Sequence, residues 1–180
     1  MTYGIALGQA ILLERRAEQQ DREAHYKNCS QKCFVKASGD VFLNEAFLTW
    51  VVHLARDNWV VISIGGGTQI NDALAALGIA SDKHPQLGRE TTAEGYAIAL
   101  KVLEKNKSDL EWQLRQRNAI AEVVIPVITM AGHTCHVDGD LMVLNAYWGF
   151  DELYVVTTRD RVEAKEKLFA DLTKVMVISA

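Results

Sequence analysis

The stretch "VVISIGGGTQIND" at residues 60–72 constrains the fold more than any other segment of the chain. The apolar run "WVVISI" (59–64) stops abruptly at three glycines, and an alanine- and leucine-rich segment follows. A continuous apolar run, without alternation, fits a parallel strand covered on both faces. The segment 68–78 reads as a helix ended by Gly78, since glycine is the favoured residue just past a helix end. A strand that feeds a helix through a glycine turn belongs in a sheet whose strands all run one way.

The rest of the chain repeats that order. "CFVKA" (33–37) is strand-like, and the helix expected at 41–57 carries an apolar face of Phe42, Phe47, Leu48, Val51, Val52 and Leu54. Residues 79–90, with Pro85 and Gly88, read as irregular. A long helix is expected over about 91–117 with Thr91 or Thr92 as N-cap. "EVVIPVITM" (122–130) is partly strand-like, with a break or sheet edge at Pro126. "AGHTCHVDGD" (131–140) reads as a polar loop. Helices over 140–148 and 161–170 and strands over 152–157 and 174–179 complete the pattern. Strands alternating with helices argue for an α/β protein with a mainly parallel sheet. One domain accounts for all 180 residues. A helix at 5–26, with Ala6, Ala10, Leu13 and Ala17 at helical spacing, precedes the pattern. It is a candidate oligomerisation element, because an exposed apolar stripe usually finds a partner.

Composition narrows the partners. A net charge of −4 argues against nucleic-acid binding driven by bulk charge. No apolar run approaches the roughly 20 residues needed to cross a bilayer, and no basic segment precedes the apolar N-terminal stretch as in a signal peptide. Three cysteines, an odd number, suit a reducing, cytoplasmic setting better than a disulfide framework.

The glycines carry chemistry as well as shape. In sheets of this kind ligands bind beyond the carboxyl ends of the strands, where Gly65, Gly66 and Gly67 lie. Glycine permits positive φ and lacks the Cβ that holds a ligand off. The next helix offers unpaired N–H groups and partial positive charge, which favour phosphate or carboxylate. A tight turn alone needs only one glycine. The pattern has neither the Lys-Ser/Thr ending of a P-loop nor dinucleotide spacing.

"VVISIGGGTQINDALAALGI" resembles the glycine-rich segment of the acetylglutamate kinases, within the amino acid kinase superfamily. "FVKASGD" resembles that family's first strand, "QLGRETTAEGYAIALKVL" its Gly-Leu-Arg-Val-Thr-Asp segment, and "VDGDLMVLNAYWGFDELYVVTTRDRV" its Asn-Ala-Asp and Thr-Asp-Val-x-Gly-Val blocks. The four blocks keep the family's order over about 33–162. The resemblance implies a three-layer α/β/α sandwich of the carbamate kinase-like type, shortened in its C-terminal, nucleotide-binding half. It implies an ATP-dependent kinase, a transferase acting with Mg²⁺ on the carboxylate or phosphate of a small anionic metabolite; the expected homo-oligomer rests on the helix at 5–26, outside the resemblance.

Carried over by position, Lys36 contacts the transferring phosphoryl group, and Asp140 organises the catalytic lysines. Gly65, Gly66, Gly67 and Arg89 bind the acceptor, Arg89 through a carboxylate. His136 and Asp138 replace two substrate-binding asparagines, which argues against acetylglutamate itself. Ser38 and Gly39 stand where the family has two glycines. Thr157 and Thr158 stand for the Thr-Asp that ends the nucleotide strand, and Arg161 for a following glycine. The family's second phosphate-binding lysine lies further on; Lys165, Lys167 and Lys174 are alternatives that the sequence does not separate.

A second function fits almost as well: a catalytically degenerate member that keeps an anion or metabolite site as a binding or regulatory subunit. A third uses His133, Cys135, His136, Asp138 and Asp140 for metal handling, but their spacing matches no structural zinc motif, so no metal ligand is assigned.

Overall fold

The computed structural model describes residues 19–84 and 88–180. Residues 19–28 are helical, and the remainder of the N-terminal helix expected from 5 onward lies outside the described residues. The elements that follow are β1 (Gln31–Ala37), α1 (Glu45–Leu54), β2 (Asn58–Ile64), α2 (Gly67–Ala76), β3 (Ser81–His84), β4 (Gly88–Thr91), α3 (Ala93–Gln116), β5 (Glu122–Val124), β6 (Val127–Met130), β7 (His133–His136), α4 (Gly139–Ala146), β8 (Glu152–Thr157), α5 (Val162–Leu168) and β9 (Val175–Ser179).

The five strands β5–β2–β1–β8–β9 form one sheet in that order, and each neighbouring pair is parallel. Side chains on a strand alternate between faces, so the apolar runs of β1 and β2 supply two cores. Cys33, Val35, Val60 and Ile62 meet Phe47, Leu48 and Val51 of α1 and Leu110 and Leu114 of α3. Phe34, Val61, Leu153 and Val155 point the other way, onto Val143 of α4 and Phe169 after α5. Each fully buried side chain of this size stabilises the fold by about 1.5–3 kcal/mol. The protein is therefore α/β with a parallel central sheet and helices on both faces, compatible with a three-layer sandwich. Helix α2 packs on α3 through Ile70, Leu74, Ala99 and Leu103.

Helix ends follow local chemistry. Asn44 caps α1 by accepting from Ala46 N at 2.8 Å, and Thr92 caps α3 by accepting from Gly95 N at 3.1 Å. Gly78, with φ of 67°, closes α2 while Ile79 N donates to Leu74 O at 3.0 Å.

Two segments expected to be irregular are hairpins. Residues 81–84 pair antiparallel with 88–91, and β6 pairs antiparallel with β7. Ser81, Asp82 and Glu90 are poor strand formers, and cross-strand pairing outweighs that preference. The β6–β7 turn has positive φ at both Ala131 (47°) and Gly132 (82°), which is the primed two-residue turn. Alanine replaces the usual Asn or Asp at its first position, so the hairpin carries no strong sequence signal. The break at Pro126 falls between β5 and β6, as Pro126 itself predicts.

From β1 the chain builds outward to β2 and β5; from β8 it builds the opposite way to β9. The direction reverses between β1 and β8. A crevice opens beyond the carboxyl ends of strands at such a point, and ligands bind there.

Candidate functional site

The cavity at this crevice has a volume of about 430 Å³, suited to a metabolite-sized ligand. Lys36, near the end of β1, reaches its floor with a side chain only 10% exposed. Its stem passes α4 at Gly139, where a Cβ would lie 3.1 Å from Lys36 Cε. The glycine of "DGD" therefore leaves room for the lysine. Lys36 Nζ lies 3.8 Å from Asp140 Oδ1 and donates to Ser38 Oγ at 3.3 Å. Ser38 Oγ in turn donates to Thr157 Oγ1 at 3.1 Å. Thr157 is fully buried, so it fastens β8 to the turn after β1 from behind the cavity wall.

Lys165 of α5 pairs with Asp140 Oδ2. Asp140 thus sits between two ammonium groups, one from each side of the crevice, and its buried Oδ1 has no hydrogen-bond partner among the described residues. The structure separates the three lysines that sequence left equivalent. Lys167 pairs with Glu163 on the surface at 2.7 Å, and Lys174 donates to the carbonyls of Tyr147 and Phe150. Of the three, Lys165 alone lines the cavity.

The glycines split into distinct tasks, and none of Gly65, Gly66 and Gly67 has positive φ. What each supplies is the missing Cβ. At Gly66 a Cβ would meet Leu103 and Asn106 at 3.2 Å, so this residue is needed for packing against α3. At Gly39 it would come within 3.0 Å of the Gly65 carbonyl and Gly66 Cα. At Gly67 it would meet none of the described residues within 4 Å, and Gly67 lines the cavity. Gly67 begins α2, whose N-cap Gly66 has no side chain to satisfy the first N–H groups.

Arg89 stands on β4 rather than in a loop, opposite this helix end. Its guanidinium donates to Ser81 Oγ at 2.6 Å, Asn71 Oδ1 at 2.7 Å and Gly67 O at 3.3 Å. All three partners are neutral oxygens, and burial lowers the arginine's affinity for its proton. An arginine held this way keeps its charge for a ligand carboxylate or phosphate. Ser81 and Asn71 escaped the sequence reading: a serine and an asparagine gain meaning only once the β3–β4 hairpin brings Arg89 between them.

Asp138, assigned above to substrate, caps α4 by accepting from Asp140 N at 2.8 Å, while also lining the cavity. Thr158 is absent from the cavity wall, as is Thr157. Among the described residues no group of three or more His, Cys, Asp or Glu side chains is placed to hold a metal ion.

No protein-family model and no curated protein matches the chain. Its cavity chemistry carries the functional reading.

His136 lines the cavity with its ring against Tyr96, centroids 5.1 Å apart, while Tyr96 Oη donates to Arg89 O at 2.8 Å. Burial lowers the imidazole pKa, and Arg89 lowers it further. A depressed pKa leaves His136 neutral in the folded chain at pH values where the unfolded chain is protonated. The unfolded state then binds more protons, and stability rises with pH up to about 6.5, the unfolded value. Acidification from pH 7.5 to 5.5 is expected to lower stability in urea denaturation, and His136→Gln should reduce that loss. An identical pH dependence in the variant would exclude this contribution.

Proposed function

We propose that the chain is an ATP-dependent phosphotransferase of the amino acid kinase type, acting on the carboxylate or phosphate of a small anionic metabolite. The observation that carries this reading is the Lys36–Asp140–Lys165 cluster at the reversal point of the sheet. Phosphoryl transfer asks little covalent chemistry of a protein; it asks for positioning and for cations aimed at oxygens whose charge shifts.

Each residue has a part in that task. Lys36 and Lys165 present positive charge from opposite walls, which stabilises charge on the transferring group. Asp140 keeps both ammonium groups in place and prevents their mutual repulsion. Arg89, held by Ser81, Asn71 and Gly67 O, orients the acceptor through its anionic end. The open space at Gly67 and the uncapped start of α2 fit phosphate oxygens. ATP, as its Mg²⁺ complex, would supply the phosphoryl group, held at its phosphate end by these lysines and the glycine turn.

The test is ADP release from wild-type protein with MgATP against a panel of small carboxylic and phosphorylated acceptors, alongside calorimetric titration of MgATP. Acceptor-dependent release is expected. MgATP or anion binding without release would favour the degenerate, regulatory reading, and absence of both would overturn the kinase.

A further inference from the structure

Arg161 lies in the 3-10 turn at Arg159–Arg161, between β8 and α5, and lines the cavity one helical turn before Lys165. Its Nη1 is 3.3 Å from Asp40 Oδ2 in the turn after β1, and its Nε is 4.0 Å from Asp160 Oδ2. Both side chains of this pair are more open to water than Lys36 and Lys165, so Arg161 and Asp40 mark the outer part of the crevice, joining the turns that follow β1 and β8.

The Arg161 side chain is 49% exposed, and a pair this open to water holds weakly. The guanidinium can therefore exchange Asp40 for a better anion at little cost. A polyphosphate entering beside Asp40 would otherwise face that carboxylate's charge. A guanidinium fork also matches phosphate oxygens in a bidentate way that a lysine does not.

We propose that Arg161 is a phosphate-chain ligand of this cavity, parked on Asp40 in the free protein and transferred to the bound polyphosphate. This rests on the phosphotransferase reading, and adds a third cation beside the Lys36–Asp140–Lys165 cluster. Its position distinguishes it from those lysines: it stands at the mouth and grips the part of the chain that leads out of the cavity. Asp40 shields the arginine from competing carboxylates until a more highly charged group arrives.

The experiment is calorimetric titration of the full chain with inorganic tripolyphosphate and, separately, with ATP, both with Mg²⁺. Four proteins are compared: wild type, Arg161→Gln, Arg161→Lys and Lys167→Gln. Lys167 faces Glu163 on the surface of α5, the helix that follows Arg161, so its variant removes equal charge without touching the cavity. Losing a charge-assisted bond should weaken both ligands about 10- to 100-fold in Arg161→Gln. Arg161→Lys should recover part of the loss, and Lys167→Gln should stay within about twofold of wild type. Equal weakening in Arg161→Gln and Lys167→Gln would reduce the effect to long-range charge and overturn the proposal. Unchanged affinity in Arg161→Gln, with wild type binding, would overturn it and leave the phosphotransferase standing. Binding of neither ligand by wild type would overturn both. A loss for ATP alone would also overturn it, because the contact would then be with the nucleoside. Thermal melts of each variant show whether it is folded, and Arg161→Lys keeps the comparison decisive if the glutamine variant is not.

Discussion

Lys36→Met is expected to lower phosphoryl transfer by roughly 100- to 1,000-fold, the usual effect of removing a donor aimed at developing charge. Asp140→Asn should do the same by a different route. It removes the counter-ion that Lys36 and Lys165 share, and two mostly buried ammonium groups then face each other. Groups that act as one unit are non-additive, so the double variant should be little slower than either single one. The two differ in stability. Lys36→Met leaves Asp140 its partner Lys165 and keeps an apolar stem against Gly139. Asp140→Asn takes away the negative charge between the two cations, and losing one member of a buried pair costs about 3–5 kcal/mol; the residual exposure here and the Lys36–Ser38 hydrogen bond place the expectation near 1–3 kcal/mol. Helix capping predicts otherwise, since asparagine caps about as well as aspartate. The cap of α4 is in any case Asp138. Acceptor-dependent ADP release and urea denaturation on the same preparations separate these effects. Wild-type turnover in Lys36→Met would remove the lysine from the chemistry.

Gly67→Asp is expected to abolish binding of phosphate or a carboxylate ligand, a loss on the order of 100-fold or more, while leaving the fold intact. No atom of the described residues lies within 4 Å of the position its Cβ would take, so the carboxylate has room in the cavity. Aspartate also suits the first turn of a helix, so the melting temperature should hold or rise. Gly66→Asp, one position earlier in the same glycine turn, is not equivalent. Its side chain would press on Leu103 and Asn106 at 3.2 Å, and overpacking of that kind typically costs about 1–3 kcal/mol. Phosphate titration of the folded Gly67→Asp variant decides the matter: retained affinity would mean that the glycine turn serves packing alone.

Sequence by itself determined the parallel α/β architecture, because that information is local. The continuous apolar run at 59–64, the strand-like segment at 152–157, capping residues such as Thr92, and the terminating Gly78 each act within a few residues of chain. It also brought forward most of the cavity wall, since residues at strand ends share one place once the strands are parallel. The three glycines follow from that geometry, while Lys36, Ser38, Gly39 and Asp140 came from the family resemblance, and all of them line the cavity. The hairpins did not, because strand pairing of polar residues depends on a partner segment rather than on propensity. Only the tertiary structure decided which lysine joins Asp140, what each glycine is for, and that Asp40 meets Arg161. Each of those is a matter of distance between residues far apart in the chain. The choice among Lys165, Lys167 and Lys174 shows the physical reason: the three have the same chemistry, and only their direction from α5 or from the turn before β9 separates a cavity cation from a surface pair or a helix-end donor.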